Sequence, residues 1–299
     1  SLRSRFNAFL GSKALRGKVS SVDKNNYPDF FQTHINGPLY ELKDIVLDVP
    51  SLLSCLSKNY QSDIKLFSHD SGWSIEKNSA GEFKSLLMQQ GNKIFNIKAK
   101  QLIISSGEGS KDFLKAFIPD EGLPSNMQMQ LRPLQMVIVK HEHRHPIHVH
   151  CVADQLTATP EVTITTHKCK DGKTAWYLGG ELAESGTHRT QEEQIKEAQK
   201  KIAELFPWCD LTNAQWHSFF INRAEALTID SKRPETASIH QYKNISLCWP
   251  SKLTLAPNLG QQILNLFHEN NIKPGIYDNP DLSKINFPGI ADAPWDTLP

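Results

Sequence analysis

The sequence predicts an α/β protein, α+β overall, in which strand-and-helix stretches at each end flank a β-rich middle. Three observations predict it. Short apolar strands followed by turn residues and helices occupy the first 118 residues and return near the C-terminus. Between Met127 and Leu178, short β-rich segments follow one another with turns between them and no helix. A single long amphipathic helix, starting after Thr190, then closes that stretch. The 299 residues suffice for two domains, one of them discontinuous, or one large unit with a buried core.

Each element follows from local chemistry. The first forty residues are polar, with turn signals at Asn25-Asn26-Tyr27-Pro28 and Gly37-Pro38. Ile45-Val46-Leu47 reads as a short strand. Asp48 then starts a helix, with Pro50 in its first turn and Leu52, Leu53 and Leu56 on one side. From Ile64 to Met88 the pattern suggests short strands broken at Ser71-Gly72 and Ala80-Gly81, and Ile94–Ile97 and Leu102–Ile104 are further strands. The last of these stops at Ser105-Ser106-Gly107-Glu108-Gly109-Ser110, before a helix carrying Phe113, Leu114 and Phe117. Met127–Val139, Ile147–Val152, Val162–Thr166 and Thr174–Leu178 read as an antiparallel meander. Thr190 and Glu193 form a capping box for a helix with Ile195, Ala198, Ile202 and Leu205 at helical spacing, ended by Pro207. Phe219-Phe220-Ile221 and Ile245-Ser246-Leu247 are strands, a helix runs from about Pro257 to Phe267, and the Pro-, Asp- and Asn-rich tail reads as irregular.

Composition excludes several function classes. Lys and Arg number 33 against 32 Asp and Glu, so no charge excess favours nucleic acid or a membrane surface as partner. No apolar run approaches the ~20 residues of a membrane-spanning helix. The N-terminus has no long apolar stretch typical of a signal peptide. Cys55, Cys151, Cys169, Cys209 and Cys248 are scattered and form no C-x-x-C pair, which argues against a disulfide framework or a zinc ribbon. A reducing, cytoplasmic setting is the expectation.

Four constellations are candidates for chemistry. The Gly107-Glu108-Gly109 loop between strand and helix lets backbone approach a ligand, and the helix start offers N–H groups to an anion; an ordinary βα turn has the same sequence. The run His141-Glu142-His143-Arg144-His145-Pro146-Ile147-His148-Val149-His150 places alternate histidines on one face, as a transition-metal site requires, but Pro146 and Arg144 interrupt it and a solvated hairpin is the favoured reading. Arg223 and Arg233 are each able to clamp a carboxylate with paired hydrogen bonds, while Glu225 or Glu235 offers either one a structural bridge instead. Lys252-Leu253-Thr254-Leu255 precedes Pro257 at a helix start, suited to an anion or the electron-rich edge of a ring, or simply a loop-to-helix junction.

In order along the chain, these pieces resemble the family of D-amino-acid oxidase, glycine oxidase and related FAD-dependent oxidoreductases. The resemblance runs through Leu39–Leu53, Ile103–Gly109, Arg132-Pro133-Leu134, Trp176-Tyr177-Leu178-Gly179-Gly180, Arg233-Pro234-Glu235-Thr236 and Leu253-Thr254-Leu255-Ala256-Pro257. It implies an FAD/NAD(P)-binding-type three-layer domain formed by residues 1–122 and 232–299, with an antiparallel-sheet substrate domain over 123–231. The G-x-G-x-x-G turn that opens such folds is not found, so the domain is expected to be N-terminally incomplete, its first βαβ unit upstream of Ser1.

The resemblance further implies FAD as cofactor and hydride transfer from a small amine or hydroxy substrate, amino-acid-like and carboxylate-bearing. Ser106, Gly107, Gly109, Lys252, Leu253, Thr254 and Leu255 would contact the flavin; Arg233, then Arg223, would take the substrate carboxylate, with Tyr177 as hydroxyl partner. No nucleophile or acid–base residue is assigned, because the flavin carries the difficult step. The alternatives are a metal-binding protein or hydrolase built on His141–His150, and a cofactor-free remnant of the oxidoreductase fold.

Overall fold

A computed structural model describes residues 19–31, 35, 37–67, 72–118, 124, 127–152, 159–229, 234–249, 252–275 and 280–297. The chain divides into two compact units, each assembled from separated stretches: residues 1–55, 133–221 and 290–299 in one, 56–132 and 222–289 in the other. These bounds differ from the expected 122/123 and 231/232. Residues 1–55 group with the β-rich middle.

The first unit is built on a five-stranded sheet. Its strands are β7 (Met129–His141), β8 (His148–Cys151), β9 (Val162–Lys168), β10 (Thr174–Gly179) and β11 (Gln215–Ala226), in the order β11-β7-β10-β9-β8. β8, β9 and β10 form the expected antiparallel run, but β7 lies between β10 and β11 rather than beside β8. The reason is burial. Gln135 to His141 is an unbroken buried run, which suits a central strand, whereas β8 alternates with exposed histidines and suits an edge.

One face of this sheet carries Val137, Val139, Val162, Ile164, Trp176 and Leu178 against the helix α4 (Gln191–Leu205), through Ala198 and Ile202. Tyr27, Phe31 and Phe206 complete that core. The capping box forms as expected: Thr190 Oγ1 accepts from the Glu193 N–H at 3.2 Å, and Glu193 Oε2 accepts from the Thr190 N–H at 2.8 Å. A short helix, α3 (Glu181–Ser185), follows β10 and has no expectation in the sequence reading. Strands β1 (Val19–Ser21) and β2 (Tyr40–Leu42) pair antiparallel.

Ile45-Val46-Leu47 is not a strand. Asp44 accepts from the Ile45 N–H, Asp48 accepts from the Ser51 N–H, and Ile45 is 68% exposed, so local turn hydrogen bonds take the place of a ladder. The helix at Asp48 does form, as α1 (Val49–Ser57). Ile64–Phe67 is likewise irregular.

The second unit holds two three-stranded sheets. β3 (Trp73–Lys77), β4 (Phe83–Gln90) and β5 (Lys93–Lys98) form an antiparallel sheet. In the other, with order β12-β13-β6, β12 (Ser238–Tyr242) pairs antiparallel with β13 (Ile245–Trp249), and β13 pairs parallel with β6 (Leu102–Ile104).

Alternation along β6 and β13 divides their side chains between two layers. Ile104, Ile245, Leu247 and Trp249 pack with Leu114 and Phe117 of α2 (Ser110–Phe117), together with Phe83. Ile103 and Cys248 pack instead with Leu259 and Ile263 of α5 (Ala256–Glu269). Helix, sheet and helix thus stack in three layers. Asn244 joins the two sheets, accepting from the Phe83 N–H at 2.8 Å and donating to the Phe83 carbonyl at 2.8 Å. A last short helix, α6 (Pro294–Thr297), belongs to the first unit.

Candidate functional site

The parallel pairing of β6 and β13 decides where a ligand can bind. Leu102, Ile103 and Ile104 lie opposite Ile245, Ser246 and Leu247, so both strands end at the same sheet edge. The loops that leave that edge lead into α2 and α5. In open α/β sheets the crevice beyond the carboxyl ends of parallel strands is the usual ligand position. Ser106, Gly107 and Gly109 lie on one of these loops, and Lys252, Leu253, Thr254 and Leu255 on the other.

Gly107 adopts φ +58°, a left-handed turn, and a Cβ there would meet open space; glycine serves the backbone conformation and leaves the loop uncovered. A 3-10 turn over Gly107–Gly109 runs into α2, where Ser106 Oγ and Ser110 Oγ are 3.2 Å apart. Lys252 precedes a second 3-10 turn, Leu253–Leu255, which runs into α5 with Pro257 in its first turn. The cap residues Gly109 and Leu255 make no side-chain capping hydrogen bond at the start of either helix among the described residues. Two turn-and-helix starts therefore lie at one edge, beside a lysine, with the N–H groups of Gly109, Ser110, Leu255 and Ala256 already held within the two turns.

β11 reaches the first loop. Asn222 Nδ2 donates to both carboxylate oxygens of Glu108, at 3.0 and 3.2 Å. Asn222-Arg223-Ala224-Glu225 lies inside β11 rather than beyond its end, so alternate residues face opposite sides. Arg223 Nε donates to the Arg132 carbonyl at 3.2 Å, and Glu225 pairs with Arg132, not with Arg223. Arg233 lies outside the described residues.

Tyr177 belongs to the first unit, on the sheet face opposite α4. His148, Thr165, Tyr177 and Ile138 lie opposite one another across β8, β9, β10 and β7, and His167, Ala175 and Lys140 form the next row. Burial pushes the Tyr177 phenol up to about 12, so it stays protonated as a hydrogen-bond donor. His167 stacks on Trp295 with ring centroids 3.8 Å apart and receives or gives a hydrogen bond at Thr165 Oγ1. Burial chiefly, and then His148, hold the His167 imidazole below its ordinary range. Gly179 and Gly180 are packing glycines: a Cβ at Gly180 would stand 2.6 Å from the Pro160 carbonyl oxygen, and Gly180 has φ +82°.

The histidine run does not converge. His141 turns into the core against Trp176, with ring centroids 4.6 Å apart, while His148 and His150 lie on the edge strand β8. His143 meets the Asp210 carbonyl. Among the described residues no three His, Cys, Asp or Glu side chains gather as metal ligands, so the structure does not bear out a metal site built on this run. Also among the described residues, no helix is long and apolar enough to cross a membrane, and all five cysteines are free.

No protein-family model matches the chain. It is 32% identical over 291 residues to the probable FAD-dependent oxidoreductase PA4991 of Pseudomonas aeruginosa, covering 97% of this chain and 70% of that protein. The chain belongs to the FAD-dependent oxidoreductases. The crystal structure of PA4991 matches this oxidoreductase with a TM-score of 0.78 and 29% identity, over 92% of this chain and 72% of that one. A crystal structure of iminodiacetate oxidase from Chelativorans sp. BNC1 shares 13% identity at a TM-score of 0.42, over 72% and 52% of the two chains.

Sequence reasoning missed two groups of residues in this oxidoreductase. Asn222 ties β11 to Glu108, and Glu225 ties Arg132 to the same strand. The alternation of Asn222, Arg223, Ala224 and Glu225 was the available signal. Their partners, some ninety to 115 residues upstream in sequence, were not.

Proposed function

We propose that this oxidoreductase holds FAD at the common edge of β6 and β13 and oxidises a small, carboxylate-bearing amine or hydroxy substrate. The observation that carries the proposal is the parallel β6–β13 pair, which directs two helix starts without side-chain caps to one edge. Those starts and Lys252 fit a group that is anionic at its phosphates and electron-rich at its ring edge. Gly107 keeps the backbone of the first loop open to such a group.

When bound, the flavin accepts the hydride, so the protein has no need of a nucleophile or a carboxylate pair. The chain's own residues bind and orient. Ser106, Gly107 and Gly109 receive the cofactor from one loop, and Lys252, Leu253, Thr254 and Leu255 from the other. Arg233, with Arg223 second, pairs with the substrate carboxylate through parallel N–H bonds. Holding the reacting C–H bond in line is a large part of catalysis of this kind.

The test is anaerobic mixing of FAD-loaded protein with a panel of amino acids and 2-hydroxy acids while flavin absorbance is followed. The active substrate bleaches the flavin bands. Arg233→Leu is expected to raise KM for that substrate by roughly tenfold or more with a smaller effect on kcat. Protein that takes up no FAD, or a variant whose KM is unchanged, removes the cofactor assignment or the arginine assignment respectively.

A further inference from the structure

The turn that follows β6 has little of its own to hold it. Of its three residues, Gly107 and Gly109 carry no side chain, and Gly107 adopts φ +58° with open space where a Cβ would stand. Glycine loses more conformational freedom on ordering than any other residue, so a turn with two of them does not fix itself. Its internal hydrogen bonds are local. The Gly109 N–H donates to the Ser106 carbonyl at 3.1 Å, and Ser106 Oγ and Ser110 Oγ lie 3.2 Å apart.

Glu108 supplies the turn's reach. Both its carboxylate oxygens accept from Asn222 Nδ2, at 3.0 and 3.2 Å, across 114 residues of sequence. Among the described residues, no other hydrogen bond ties this turn to a distant part of the chain. The anchor is firm, because Asn222 lies inside β11, which pairs with β7. Just beyond the strand, the Leu227 N–H donates to the Gln128 carbonyl at 2.9 Å.

Glu108 and Asn222 are both exposed, and a hydrogen bond between exposed groups adds little to global stability. Its consequence is local. It restrains the single side chain of the turn and so restrains the backbone between the two glycines. Charge adds a second reason. Beside a loop that receives an anionic group, a loose carboxylate repels that group, whereas one turned onto an amide has its charge partly answered by the N–H dipole.

We infer that Asn222 is a positioning residue for the cofactor: through the Glu108 carboxylate it holds the Gly107–Gly109 turn in the conformation that receives FAD. This rests on the proposed place of FAD at the β6–β13 edge.

The test is the affinity of the apoprotein for FAD, read from flavin fluorescence without turnover. Asn222→Ala is expected to weaken FAD about fivefold, as the loss of one hydrogen bond does. In a Glu108→Ala background the same change is expected to have no further effect, because Asn222 acts through that carboxylate alone. Asn222→Asp gives a signature that lost packing does not. Its carboxylate faces that of Glu108, and two carboxylates so close resist ionising together. At pH 8 they repel, and FAD binds more weakly than in Asn222→Ala. Toward pH 5 the pair shares a proton, the tie re-forms, and affinity returns to within about twofold of wild type at the same pH.

Wild-type affinity in Asn222→Ala overturns the positioning role. So does an equal loss when Glu108 is already alanine, or an Asn222→Asp protein whose affinity relative to wild type is indifferent to pH. Wild type that binds no FAD overturns the cofactor site itself, a different failure. Should Asn222→Ala not fold, Asn222→Asp at pH 8 and pH 5 tests the same point within one protein.

Discussion

At the residue scale, His141 shows how burial turns a titratable group into a stability element. Its Nδ1 accepts from the His143 N–H at 3.1 Å, so the neutral ring carries its proton on Nε2, which is buried without a hydrogen-bond partner. Burial, and secondarily His143, lower it from the ordinary 6.5 to about 4. Between those two values the unfolded chain binds a proton that the folded chain does not. The contribution of His141 to stability is therefore level above pH 6.5 and falls as pH drops toward about 4. Denaturant midpoints at pH 7.5 and pH 5 measure the loss, and His141→Gln should reduce it. A slope unchanged in that variant assigns the effect to another group. Neither the direction nor the size of this shift was legible in the sequence, where His141 is one of five histidines within ten residues. The faces that His141, His148 and His150 occupy follow from strand register.

At the element scale, α4 is the element most completely legible in the sequence. Thr190, Glu193, the apolar positions at helical spacing and Pro207 all act within a few residues of one another, and the helix spans Gln191–Leu205 as that chemistry dictates. Thr190→Ala removes the acceptor for the Glu193 N–H and is expected to cost about 1 kcal/mol, read as a lower thermal midpoint with the far-ultraviolet spectrum retained. A midpoint equal to wild type shows the helix held by its packing on Val137 and Trp176 alone. Strand β7 contrasts with α4. Its apolar run Met136-Val137-Ile138-Val139 marks a central strand, yet the strand beside it in the sheet, β10, lies more than thirty residues further along the chain. Adjacency in sequence favoured pairing with β8; burial on both faces placed it between β10 and β11.

At the scale of the whole molecule, the two compact units are each discontinuous, and the division falls inside β7 and β11. A ligand that binds only the folded chain stabilises it by mass action, whatever the order of its segments. FAD at about a hundredfold above its dissociation constant is expected to add about 2.7 kcal/mol, visible as a concentration-dependent rise in the thermal midpoint. Lys252→Ala should shift that dependence to higher FAD concentration. A midpoint indifferent to FAD removes the β6–β13 edge as a cofactor site.

The sequence by itself determined the elements whose causes are local. These are the capped helix α4, the strand β6 with the glycine turn that ends it, the helix start at Pro257, and the alternation that marks a β-rich middle. Their ordered motifs also carried the resemblance to flavin-dependent oxidases. Only the tertiary structure decided what depends on partners distant in the chain. It set β6 parallel to β13, brought the loops at Gly107 and Lys252 to one edge, turned His141 inward, and paired Glu225 with Arg132 instead of a nearer arginine. Caps, turns and periodicity act over a few residues and are written in adjacent letters. Sheet register and buried charge pairing are settled by which surfaces leave water together, and that is a property of the folded chain.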